Sequence, residues 1–248
     1  MTKTEQYRQK LASLENWDDF LQKESGLPGP RGNLELAQVV ADLGSVELFE
    51  RYLSLDAEKA PTNSPLEFLA FCGVVGLGRL LVEGQRERFK TLRRFACDHR
   101  WRVREGVAMA LQRFGDHDMD SLLQEMEQWC GGTSLEQRAA AAALCEPRLL
   151  KQAVHARAVL RILDRITASL RRAQDRKAED FLVLRKGLAY CWSVAAAASP
   201  EEGKKAMEKW LVEADKDIRW IMKENLKKDR LLRMDAEWVR NWKSRLDI

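Results

Sequence analysis

Trp101 and Glu105 stand four residues apart, and Trp220 and Glu224 repeat that spacing. On a helix, residues four apart share a face. An indole face attracts positive charge and a carboxylate stabilises it, so such a pair could hold a cationic group or a flipped base. At about 100° per residue, Trp101 falls about 120° and Glu105 about 160° from Val107 on a helical wheel. Both therefore lie off the apolar stripe made by Val103, Val107, Leu111 and Phe114. The plainer alternative is that each tryptophan packs between neighbouring helices and each glutamate pairs with a nearby arginine. Glu105 is the candidate catalytic carboxylate only under the first alternative, and no other catalytic residue is assigned.

Arg157, Arg161 and Arg165 recur every four residues, with Arg172 on the same arc. They oppose a stripe of Val159, Ile162, Leu163, Ile166 and Leu170, so they face solvent or a partner. Arginine forks match phosphate and carboxylate geometry, which makes the row either a phosphate-binding ridge or a solvated helix face. Lys90, Arg93, Arg94, Arg100 and Arg102 form a second basic cluster. Residues 1–78 carry 7 basic and 12 acidic side chains, residues 79–113 carry 10 and 4, residues 114–150 carry 2 and 7, and residues 151–177 carry 8 and 2. Basic and acidic segments thus alternate, although the net charge is only +4.

Other chemistries find little support. The three histidines show no zinc spacing, and His99 beside Asp98 reads as a loop residue. The five cysteines are scattered and form no Cys-x-x-Cys pair, as expected of buried, reduced thiols in a cytoplasmic protein. Gly73-x-x-Gly76-x-Gly78 follows no strand, so close helix packing explains it better than a phosphate loop. Ala139 to Ala143 likewise reads as a small-residue face under a close neighbour. No cofactor or metal is expected. No apolar run reaches the roughly 18 residues of a membrane span, because Arg79 stops the longest.

The elements that must position these residues are helices. Ala, Leu, Arg, Glu and Lys dominate, and strand-forming stretches are scarce. Ser64-Pro65-Leu66-Glu67 predicts a helix to about Val82, and Ser199-Pro200-Glu201-Glu202 predicts another through Ala214. Asn33 caps a helix from Leu34, Gly131-Gly132 stops one ending at Cys130, and Thr133 or Ser134 opens the next. Eleven or twelve helices joined by short loops are expected, as successive antiparallel hairpins.

The chain also echoes itself. Asp98-x-x-Trp101-x-Val103-Arg104-Glu105 recurs as Asp217-x-x-Trp220-x-Met222-Lys223-Glu224. Leu184 to Ala189 echoes Val103 to Ala108, and Gln137 to Leu144 supplies a further unit. These segments resemble the second helix of a HEAT repeat, over residues 84–235 more than over the N-terminal third. The resemblance implies an all-α fold, a right-handed α-solenoid of stacked antiparallel hairpins of the HEAT or armadillo kind. It also implies that Asp98 with Arg104, and Asp217 with Lys223, bridge neighbouring repeats. In fold, size and charge the chain is distantly similar to the alkylation-repeat DNA glycosylases, which would give Trp101 and Glu105 a base-binding role. Glu105 departs from the Asp expected in that family.

The expected organisation is an N-terminal cap over residues 1–83 and repeats over 84–248, in one continuous domain. The expected function is a non-catalytic scaffold for a protein or other macromolecule; the alternative is a DNA-binding enzyme or reader resembling the alkylation-repeat DNA glycosylases of base-excision repair. The expected contact residues are Trp101, Arg104, Arg157, Arg161, Arg165, Trp220 and Lys223.

Overall fold

A computed structural model describes residues 1–247. Among them there are fifteen α-helices and no strand. The first seven are α1 (Lys3–Ala12), α2 (Asp18–Lys23), α3 (Leu34–Leu43), α4 (Val46–Leu53), α5 (Pro65–Val82), α6 (Arg88–Phe95) and α7 (Trp101–His117). The rest are α8 (Met119–Trp129), α9 (Ser134–Leu144), α10 (Ala153–Ser169), α11 (Glu179–Ala198), α12 (Pro200–Leu211), α13 (Lys216–Leu226), α14 (Asp229–Met234) and α15 (Ala236–Arg245). The number exceeds the eleven or twelve expected. Two of the helices, α2 and α14, have six residues and no side-chain cap, and so carry little sequence signal. Helix α12 stops at Leu211, short of the expected Ala214, and Asp215 caps α13 instead.

The capping chemistry is as the sequence predicts at three starts. The Asn33 side chain accepts from Leu36 N, Ser64 accepts from Glu67 N ahead of Pro65, and Thr133 forms a reciprocal capping box with Glu136. Ser199 behaves differently, because its hydroxyl donates to Glu202 at 2.7 Å.

The chain divides into two compact units, Met1–His117 and Asp118 onward. In the first, α5 is the central helix and packs against α2, α3, α4, α6 and α7. Its glycines allow this close approach. A Cβ on Gly76 would lie 2.4 Å from the Phe49 ring of α4, and one on Gly78 would lie 2.6 Å from Ala110 O of α7. In the second unit α11 is central, flanked by α9, α10, α12, α13 and α14. Ala139, Ala140, Ala141 and Ala143 of α9 are all buried, and Ala141 O lies 3.5 Å from the Cys191 Sγ of α11.

Both central helices are long and apolar enough to cross a membrane by composition, at 18 and 20 residues with mean hydropathy 1.7 and 1.2. This corrects the expectation that no segment reaches that length, since Glu67 and Arg79 do not interrupt the helix. Yet 78% and 56% of these windows are buried inside the protein. Their apolarity is explained by their central place in each unit.

Within each unit, alternate helices are neighbours. Helix α3 contacts α1 and α5, and α5 contacts α7; α11 contacts α9 and α13, and α13 contacts α15. On the second unit's other side, α10 contacts α8 and α12.

Candidate functional site: an arginine-walled groove

The arginine row of α10 lines a groove against α12. Val159, Ile162, Leu163 and Ile166 are fully buried, each contributing roughly 1.5–3 kcal/mol by its removal from water. This stripe fixes the rotation of α10. Four-residue steps drift by only about 40° each, so Arg157, Arg161 and Arg165 stay on one exposed edge.

The opposite wall is set by α12. Gly203 lets this helix approach α11 closely, since a Cβ there would lie 2.4 Å from Ala196 Cα. Glu202 and Ala206, one turn apart, then line the groove with Leu160 and Asp164, enclosing about 510 Å³.

The charges are unevenly satisfied. Arg157 pairs with Glu202 at 3.5 Å, and Arg165 pairs with Glu127 of α8. Asp164 accepts from Lys209 at 2.8 Å and from the Trp210 indole at 2.9 Å. The Ser199 hydroxyl, then a backbone amide and Arg157, hold the Glu202 carboxyl below the usual range. Arg161, at the centre of the row, has no ion-pair or hydrogen-bond partner among the described residues. The groove therefore offers one unpartnered guanidinium, two exchangeable ones and an apolar base.

Trp220 is not among the groove residues. It lies on α13 beneath the Arg185 guanidinium of α11, 3.9 Å from its ring centre. Asp217 is buried and ion-paired with both Arg176 and Arg185 at 3.0 Å, which ties α13 to α11 and to the loop before it. Lys223 donates to Leu246 O at 2.6 Å, behind α15, rather than meeting Asp217.

Asp215 completes this clamp at 2.7 Å from Arg176, whose hydrogen bond is the main cause of its lowered pKa. Stabilisation by a carboxylate with a lowered folded pKa is full above the unfolded value of about 3.9 and is lost as pH falls through the folded value. Asp215→Asn is expected to lower stability at pH 7 and to flatten its decline below about pH 4. Acid titration of unfolding by circular dichroism checks this, and an unchanged acid limb would contradict it.

In the first unit, Trp101 begins α7 and is 45% exposed, with the Arg102 guanidinium 4.4 Å from its ring centre. Glu105 is half-buried on the same helix. Arg104 is buried and donates to the carbonyls of Asp98 at 2.6 Å and His99 at 3.0 Å. Asp98 itself binds Arg100, accepting from its backbone at 2.8 Å and its guanidinium at 2.8 Å. The residue six positions after each aspartate thus holds a backbone carbonyl, and the carboxylate takes a different arginine.

Three of the other tryptophans, Trp129, Trp192 and Trp210, are fully buried, while Trp17 and Trp238 are half-buried and Trp242 is buried at an edge. Sequence reasoning finds the arginine wall but misses Glu202 and Ala206. Their only signal is Gly203 inside α12, together with the alanine run that ends α11. Comparison of the chain with known protein families, with curated sequences and with solved structures returns no match.

Proposed function

We propose that this chain is a non-catalytic, HEAT-like scaffold, and that its α10–α12 groove receives an acidic, partly apolar segment of a protein partner. The observation that carries the reading is the groove's mixed lining. Three arginines flank an apolar base of Leu160 and Ala206, and only Arg161 lacks a counterion. A partner carboxylate finds Arg161 directly and can exchange with Glu202 or Glu127 at the ends of the row. Glu202 and Asp164 in the same lining disfavour a continuous phosphate backbone. The solenoid arrangement is supported by the neighbouring of alternate helices within each unit, as serial hairpins would give. The exposed Trp101 ring, with Glu105 on the same helix, favours the second reading, a DNA-binding protein that takes a base flipped out of a duplex.

One titration tests both. A fluorescein-labelled peptide alternating glutamate and leucine is expected to bind at low salt. Replacing Arg157, Arg161 and Arg165 together by alanine is expected to weaken it about tenfold, at up to about 1 kcal/mol per exposed pair. Anisotropy in parallel with duplex DNA separates the readings. Peptide binding indifferent to the arginines overturns the first, and duplex binding lost with them supports the second.

A further inference from the structure

The second unit carries another exposed face, on α9, α11 and α13, with chemistry unlike that of the groove. Leu182, Lys186 and Tyr190 follow one another at four-residue spacing along α11 and are all exposed, Leu182 at 44% and Tyr190 at 46%. On one flank, the Arg138 side chain of α9 lies beside Gly187, 3.5 Å from where a Cβ would be. On the other flank, Trp220 of α13 presents its ring under Arg185. Arg219, adjacent to Trp220, is exposed, as is Lys216 one turn before it.

Two features set the partner's chemistry. First, both aromatic rings carry an arginine. Arg185 covers Trp220 at 3.9 Å, and Arg230 covers Tyr190 at 4.5 Å while also donating to its hydroxyl. Second, the side chains of Lys186, Arg219 and Lys216 have no ion-pair or hydrogen-bond partner among the described residues. On α13, Asp217 is engaged with two arginines and Glu224 with Lys227 at 2.6 Å. Flat aromatic and guanidinium surfaces among unpaired cations accept stacked bases and a phosphate backbone together.

We infer that this face binds single-stranded nucleic acid, with the Tyr190 ring and the stack of Arg185 on half-buried Trp220 as platforms for bases and Lys186, Arg219 and Lys216 as phosphate contacts. A duplex hides its base faces and would meet only the cations. An acidic peptide would meet the cations but has no planar groups for the two rings. The inference does not depend on the α10–α12 groove, which uses other residues on other helices.

The test is anisotropy of fluorescein-labelled oligothymidylate and oligouridylate of about 20 nucleotides, a length above the site size of one such platform. Binding is expected at about 50 mM salt, with a log–log salt slope near −2 for three phosphate contacts. Lys186→Glu with Arg219→Glu is expected to weaken binding at least tenfold and to flatten that slope by about 1.4. Tyr190→Ala, at an exposed position, is expected to weaken it roughly fivefold or more without flattening the slope. Alanine at Arg157, Arg161 and Arg165 is expected to leave it unchanged. The two strands differ in the 2′-hydroxyl and in the thymine 5-methyl group, and binding of either strand supports the inference. No binding of either, duplex bound as tightly as single strands, loss only in the Arg157 row variant, or displacement of the strand by the glutamate–leucine peptide at this face would each overturn it.

Discussion

Replacing Arg102 with methionine is expected to destabilise the first unit by about 3–5 kcal/mol, because it leaves a buried carboxylate without its cation. The Glu67 side chain is wholly buried, and Arg102 is its ion-pair partner at 3.2 Å. Glu67 Oε2 also accepts from Asn63 N at 2.7 Å, while Oε1 has no hydrogen bond among the described residues. Arg102 reaches on to the carbonyl of Gly29, so one side chain joins the starts of α5 and α7 to the loop before α3. A domain of ordinary stability has about 5–15 kcal/mol in total, so the loss approaches unfolding at the low end. The double variant Glu67→Gln, Arg102→Met removes both charges and keeps an acceptor for Asn63. It is expected to recover most of the loss, because a neutral buried amide is far less costly than an unpaired carboxylate. Urea unfolding of the single and double variants measures the coupling. A single-variant loss under about 1 kcal/mol, or a double variant no better than the single, would contradict the account.

The same two residues show where sequence reading stops. Glu67 carries the signature of a first-turn capping residue, and the cap at Ser64 is indeed present, but nothing local announces that its carboxylate is buried. Arg100 and Arg102 read as members of a basic surface cluster, yet both are buried, Arg100 at 1% exposure. The partners that draw Arg100 inward are the carbonyls of Leu55, Asp56 and Ala60, about forty residues earlier in the chain. A guanidinium on a long apolar stem can serve solvent or a buried carbonyl, and only tertiary placement decides. By contrast, the apolar stripe of α10 is a local periodicity, so the outward row of Arg157, Arg161 and Arg165 follows from it directly. The glycine triplet of α5 was legible as close packing because it lacks the strand a phosphate loop needs. The Leu182, Lys186 and Tyr190 edge was missed because α11 is apolar on most sides, which blurs the boundary between its buried and exposed faces.

The α11–α12 contact connects packing to the groove, and Gly203→Val tests it with the second large effect. The new Cβ would sit 2.4 Å from Ala196 Cα and 2.7 Å from Ala196 O, which are backbone atoms with no rotamer to yield. Helix α12 must therefore move away from α11 and carry Glu202 and Ala206 with it. Overpacking of this kind costs about 3 kcal/mol or slightly more, at the upper end for added methyl groups in a filled core. Affinity for the glutamate–leucine peptide is expected to fall together with stability, because the wall opposite Arg161 is displaced. Gly187→Ala provides the contrast on the side of α11 that faces α9. Its Cβ would meet only the Arg138 Cγ at 3.5 Å, an ordinary contact, so alanine's better helix propensity should raise stability by up to about 1 kcal/mol. Thermal unfolding of the two variants, with peptide anisotropy at a temperature where both are folded, reads the two effects separately. If Gly203→Val is stable and keeps full peptide affinity, Gly203 does not set the position of α12, and the groove's second wall needs another origin.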